Sequence, residues 1–327
     1  GFFSILTCDN ENYVLDIIQT AWADLDINSV ISYAVSRIQK RKNKFGLFIK
    51  TKKYSITKEV AEYLHISIIK YMDGREEYLS EKMLKKRINN GIDFAKVYVG
   101  KLVSSSLNIR DDSTNCSYDL SKAEISKLIV GENCNVNIDL RDNPYIETLQ
   151  IKEQFSGCVN LSRSNVESIF IANNCSCNLS INNAKKCFNL QIADIFSGNT
   201  NITNCCMYAM SLGYYSYADI VLSNNIIKKD IEIGESFRGS LHAVDQNTDN
   251  LKIGDDCKGC IKTNNTSQST GCKKISIGDN FAGSISLNND ECIKNVEIGQ
   301  KFCGKLEAMY SGFLQKIKVA FLTKPLL

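Results

Sequence analysis

The sequence predicts a chain in two parts: a small α/β head domain over residues 1–104 and a β-rich solenoid over residues 105–327. Three observations carry this. An apolar–any–apolar–Gly pattern recurs at intervals of 19 to 24 residues from Leu107 to Val319. Hydrophobic residues make up 43% of the 327, enough for a long continuous core. The first hundred residues lack the pattern and alternate strand-like with helix-like segments instead.

The repeat is clearest at Ile231-Glu232-Ile233-Gly234, followed by Phe237, Gly239 and Leu241. It returns at Ile275 (with Phe281, Gly283 and Ile285), at Val296 (with Phe302, Gly304 and Leu306) and at Leu251, where Cys257 takes the Phe slot. Weaker copies start at Leu107, Leu128, Leu149, Ile169, Leu190 and Leu212, and a partial one at Ile317. The apolar–polar–apolar step has the two-residue period of a strand with one face inward. Gly is expected to turn the chain, the Phe or Cys slot to fill the bend, and the second Gly to allow another tight turn before a second strand. Such a unit buries its apolar face only by stacking on the next. The expectation is parallel strand ladders of roughly 21-residue repeats in about ten turns.

An apolar residue also stands three positions before several starts (Ile125, Ile146, Val166, Ile293, Leu314). The unit then reads Ile293-x-x-Val296-x-Ile298-Gly299-x-x-Phe302. This resembles the leucine-rich repeat family, and within it the irregular bacterial BspA-like form, across about two thirds of the chain. The resemblance implies a solenoid whose strands pair in parallel. The sequence departs from the family where its usual Asn is absent and where the second half of the BspA-like unit is compressed.

In the N-terminal hundred residues, Phe2–Cys8 and Phe45–Ile49 read as strands. Tyr13–Trp22, Ser29–Lys40 and Thr57–Leu64 read as helices. Then come a strand at Ile66–Tyr71, a helix at Glu76–Asn89 ended by Gly91, and a strand at Ala95–Val99. The module is expected to cap the first solenoid turn. The apolar start and abrupt end of the chain suggest packed termini or a piece of something longer.

Charge is unevenly spread. Residues 1–36 carry five acids and no base, while residues 37–101 carry 17 Lys and Arg against 7 Asp and Glu. Within the basic stretch, Arg37, Lys40, Arg41, Lys42, Lys44, Lys50, Lys52 and Lys53 form the strongest local signal. They are a candidate phosphate- or nucleic-acid-binding patch, or a solvated helix end. Thr57–Ser67 resembles the first helix and turn of excisionase-type helix-turn-helix domains. DNA reading would then require Ile68–Gly74 as an uninterrupted recognition helix. Asp9, Glu11, Asp24 and Asp26 lie at or near a predicted strand end, where α/β enzymes bind ligands, but no glycine-rich phosphate loop follows.

Cys257-x-x-Cys260 with Cys272 has metal-like spacing. However, Cys257 stands in the Phe slot, so core packing is the expected role, as for Cys205-Cys206 and Cys175-x-Cys177. The 14 cysteines are expected to be reduced, placing the chain in the cytoplasm or in a virion. Asn, Lys and Ile abundance points to an AT-rich bacterial or phage genome. The two histidines, His65 and His242, sit in no catalytic motif. No apolar run reaches the roughly 18 residues of a membrane span.

The functional expectation is a non-enzymatic structural or binding protein. Its solenoid would contact another protein or a second copy of itself, in attachment, adhesion or virion assembly, with no cofactor, no metal site and no membrane partner. One alternative is a nucleotide- or sugar-handling transferase in the head domain, with the solenoid as scaffold. The other is nucleic-acid binding by the basic 37–53 stretch.

Overall fold

The computed structural model describes residues 67–79, 81–91, 94–184, 186, 188–264, 272–287, 292–308 and 316–320. Strand-forming pairs such as Leu149-x-Ile151 and Val159-x-Leu161 put their apolar residues on one face and polar ones on the other. No pair can bury that face alone, so the chain coils and successive copies stack in parallel. Each coil contributes one strand to each of two sheets, one of 13 strands and one of 12. The result is a β-solenoid of about nine turns.

The interior is a set of in-register rows. In the 12-stranded sheet, Leu128, Leu149, Ile169, Leu190, Met210 and Ile231 follow one another across the ladder. In the 13-stranded sheet, Ile138, Val159, Leu179, Thr200, Ile220 and Leu241 do the same. All of these are buried. Burying each large aliphatic side chain contributes about 1.5–3 kcal/mol. Two neighbouring coils thereby make one continuous core.

One repeat start is corrected by the ladder. Leu190 and Ile231 pair with Met210, and Leu212 pairs with Ile192 and Ile233. The sixth copy therefore begins at Met210, with Leu212 in the second apolar slot. Met is as good a core residue as Leu there, and the shift makes the spacing on either side more even.

Glycine's role in the first corner also differs from expectation. The residue in the left-handed region is two places beyond that Gly: Ser236, Asp256, Asn280 and Lys301, all with φ of 56–58°. The same position is Asp112, Asn133, Gln154, Asn174, Ile195 and Tyr215 in the other coils. Asn and Asp tolerate this conformation best, which accounts for Asp112, Asn133, Asn174, Asp256 and Asn280 at this place. The second Gly lies inside the following strand. At Gly239, φ is +139° and a Cβ would stand 2.0 Å from the Ala218 carbonyl oxygen of the coil below.

The corner slot itself alternates. Cys134, Phe155, Cys175, Phe196, Ser216, Phe237, Cys257 and Phe281 succeed one another, all buried. Coils with Phe carry Gly two residues on (Gly157, Gly198, Gly239, Gly283). Most coils with the smaller residue carry a buried side chain there instead (Val136, Cys177, Ala218). Interior volume is thus held nearly constant, as close packing requires. Phe302 breaks the alternation and stacks on Phe281, with centroids 6.0 Å apart and planes at 11°.

The N-terminal end of the stack carries a hairpin and a helix. Strand β1 (Ser67–Tyr71) pairs antiparallel with β2 (Glu76–Leu79) and with β3 (Phe94–Tyr98), and β3 begins the parallel ladder by pairing with Thr114–Asp119. Helix α1 (Glu81–Asn90) lies against the edge strand Leu102–Ile109 of the other sheet and buries Leu84 and Ile88. Its side chains cap that edge: Glu81 Oε1 accepts from Val103 N at 2.5 Å, and Asn89 Oδ1 from Asn108 N at 3.2 Å. An antiparallel hairpin extends one sheet, and a helix covers the first strand of the other, shielding that strand from further pairing.

Here the expected helix at Glu76–Asn89 is corrected: its first four residues are strand β2, turned back on β1 at Gly74, where φ is +83°. Ile68–Tyr71 is likewise strand, not the recognition helix that DNA reading would need. The β-branched pair Ile68-Ile69 favours strand over helix. No helix among the described residues is long and apolar enough to cross a membrane.

Candidate interaction surfaces

The stack presents two outer sheet faces and the corners between them. On the 13-stranded sheet, outward positions carry short polar side chains in register, and these bond from coil to coil. Asn137 Oδ1 accepts from Cys158 N at 3.2 Å. Asn178 Oδ1 accepts from Asn199 N at 3.3 Å and Asn199 Nδ2 at 3.1 Å. Asp219 Oδ1 accepts from Ser240 N at 3.1 Å and Ser240 Oγ at 2.6 Å. Over these positions the side chains are already oriented by one another.

The 12-stranded sheet's outer face is more charged. Lys252 Nζ bridges Asp230 at 2.5 Å and Glu232 at 2.9 Å. The hydrogen bond from Lys252 holds the Asp230 carboxyl below the usual carboxylate range. Lys273 pairs with Asp249 at 2.5 Å and Lys274 with Glu297 at 2.7 Å. Exposed pairs of this kind fix register more than they stabilise. Beside this sheet, Glu167, Lys186, Phe188, Asn189, Tyr208 and Lys228 line an open groove of about 470 Å³.

In the cap, Tyr71, Met83, Lys86, Arg87, Asn90, Gly91 and Phe94 line a hollow of about 330 Å³. Tyr71 OH donates to Glu77 Oε2 at 2.5 Å, and Glu77 Oε1 accepts from Arg87 Nη2 at 2.8 Å. Burial, reinforced by Glu77, pushes the Tyr71 hydroxyl up to about 12.

The cysteines divide by position. Cys257 is buried in its corner slot, while Cys260 lies on the outward side of the next strand, in register with Ser240 and Ser284. The two thiols therefore do not converge, and the metal-like spacing is a by-product of the coil. Cys175, Cys177 and Cys205 are buried, and Cys206 is half-buried. Among the described residues, no three His, Cys, Asp or Glu side chains gather as metal ligands would. His242 stands on the outer face between Val221 and Lys262.

Several sequence candidates lie outside the described residues. They are the basic patch Arg37, Lys40, Arg41, Lys42, Lys44, Lys50, Lys52 and Lys53, the acids Asp9, Glu11, Asp24 and Asp26, and His65. What sequence reasoning missed is a concentration of exposed apolar side chains in one part of the array: Ile195, Tyr208, Tyr214, Tyr215, Tyr217, Val221 and Ile226. Comparing each coil position by position would have found it, because these residues depart from their own rows.

The fold and these surfaces define the class: a two-sheet β-solenoid with a capped N-terminal end. No protein-family model, curated protein or solved structure matches the chain.

Proposed function

We propose that the chain is a non-enzymatic binding scaffold that works through protein–protein contacts along the solenoid. The observation that carries this is the outer face of the 13-stranded sheet. Its side chains are locked in register and bonded from coil to coil, as in Asn178–Asn199 and Asp219–Ser240. A face ordered before binding loses less conformational entropy on association. Attachment, adhesion and assembly of a virion or another large particle are the settings that fit such a surface. Kinship with BspA-like leucine-rich repeats rests on the Ile293-x-x-Val296-x-Ile298 opening. All cysteines among the described residues are free thiols, seven of them buried, which supports a reducing, cytoplasmic or virion-associated setting in a bacterial or phage context.

Hydrogen exchange on the full chain, with and without extract of the organism that makes it, tests the reading. Protection of a contiguous set of outer-face or corner amides is expected. Exchange unchanged along the whole array would overturn it.

A further inference from the structure

Because every position of the coil recurs, the chain supplies its own standard of comparison. At the left-handed residue of the first corner, eight coils carry a polar or charged residue, and two adjacent coils carry Ile195 and Tyr215. A β-branched residue is strained in that conformation. Burial does not compensate it, since Ile195 is 50% exposed and Tyr215 61%.

The position just before is acid or amide in nine coils and Tyr in one, Tyr214. At the outward start of the next strand, Tyr217 stands between Ser197 and Arg238. The four departures adjoin. Tyr214 O accepts from Ile195 N at 2.8 Å, and the Arg238 guanidinium lies 5.7 Å from the Tyr217 ring centroid. Folding explains none of them, whereas exposed Tyr beside Arg is the composition of a binding hot spot. A local rule broken without structural gain marks a site kept for another reason.

The occupant is indicated by the chain's own surface. The ridge is exposed, largely apolar and flanked by Asp194 and Glu235. The groove beside the 12-stranded sheet is open and lined by Phe188, Asn189 and Tyr208, with Lys186 paired to Glu167 at 2.9 Å and Lys228 free of an ion pair among the described residues. Lys229 adds a further charge, with its ammonium 4.7 Å from the Tyr208 ring centroid.

We propose that the ridge Ile195–Tyr214–Tyr215–Tyr217 is a self-association surface that seats in the lysine-lined groove around Tyr208 of a second copy of the chain. This rests on the scaffold reading and names its partner. Ridge and groove are different surfaces, so the contact is heterologous, and each bound copy still offers a free ridge or a free groove.

Sedimentation velocity of the full chain over a concentration series tests this. Species growing beyond the dimer are expected, weakened by salt because carboxylates meet lysines. Tyr214→Asn and Tyr215→Asn install residues of the kind the other coils carry, so the fold is kept and association is lost. Lys228→Glu removes it from the groove side. A Tyr215→Asn chain mixed with a Lys228→Glu chain pairs one live groove with one live ridge, and is expected to form a dimer and stop there. A chain monomeric at every concentration, or ridge variants that associate like the parent, would overturn the proposal. Protection of the ridge by a different protein, with the chain itself monomeric, would overturn self-docking and leave the scaffold reading standing.

Discussion

Asp255 Oδ1 accepts the backbone N–H of Asp279, one coil further along, at 2.7 Å, and the same oxygen lies 2.1 Å from where a Cβ on Gly278 would stand. An aspartate in one coil thus adds to the backbone crowding at the glycine of the next. The relation repeats at Asp111 with Gly131, Asp194 with Gly213 and Asp279 with Gly299. Where the earlier coil carries Glu132 or Glu153, the next tolerates Lys152 or Ala172. Gly278→Ala is expected to cost about 1–3 kcal/mol, as overpacking does, and Asp255→Ala about 1 kcal/mol for its lost hydrogen bond. Backbone atoms of Gly254 and Asp255 also stand 2.7–2.8 Å from that Cβ and remain when the carboxylate is removed, so the double variant should cost about the sum of the two. Urea midpoints of the four proteins measure this, and a double variant much more stable than the sum would show that the carboxylate alone excludes the methyl.

The corner alternation makes a second, differential prediction. Cys175 is followed two residues on by the buried Cys177, but Cys257 is followed by Gly259. The Cys257 coil already has the glycine that accompanies Phe elsewhere. Cys257→Phe should therefore change stability by less than about 1 kcal/mol, whereas Cys175→Phe should cost about 1–3 kcal/mol through overpacking. Equal effects on the thermal midpoint would refute the link between slot and glycine.

These two relations show what the sequence disclosed and what it withheld. The period, the inward apolar pair and the Phe/Cys slot are local patterns, so they were legible one coil at a time. The reason for Gly278 lies in Gly254 and Asp255, more than twenty residues away, and only stacking brings them together. The same holds for the start at Met210: Leu212 is equally apolar, and only pairing with Leu190 and Ile231 decides between them. Glu76–Leu79 reads as helix because it runs straight into Glu81–Asn90, and only the turn at Gly74, which folds it back onto β1, makes it strand. The exposed Tyr214, Tyr215 and Tyr217 escaped notice because aromatic residues read as core until their rows show otherwise.

Thr200 occupies a wholly interior position between Leu179 and Ile220, and its Oγ1 has no hydrogen-bond partner among the described residues. A buried hydroxyl without a partner costs free energy that a methyl does not. Thr200→Val, nearly the same in shape, is expected to stabilise the array by about 0.5–1.5 kcal/mol. A lower urea midpoint for the variant would mean the hydroxyl is satisfied in solution.

Glu81 and Asn89 close the edge of the strand Leu102–Ile109 through side-chain acceptors. Glu81→Ala with Asn89→Ala leaves the N–H groups of Val103 and Asn108 unpaired at a sheet end, a template for further strands. About 1 kcal/mol of stability per lost bond should disappear, and light scattering on gentle heating should rise earlier than in the parent. Unchanged scattering would place the protection of that edge in the helix backbone instead.

The interior thiols set the behaviour in alkali. Burial raises Cys116 and Cys177 from their ordinary value of 9.0 to about 12, with the neighbouring Cys175 adding to the effect at Cys177. In the unfolded chain both ionise near 9, while the folded state keeps them neutral. Their contribution to stability is therefore complete below pH 9 and is lost as the pH rises toward 12, at up to about 1.4 kcal/mol per pH unit for each thiol. Cys177→Ala removes one of the two groups and installs the residue that Ala218 already provides at the equivalent place. Between pH 9 and 11 its urea midpoint should fall less steeply than the parent's, with the curves parallel below pH 8. Parallel curves throughout would mean that Cys177 does not gain a proton's worth of stability from its burial.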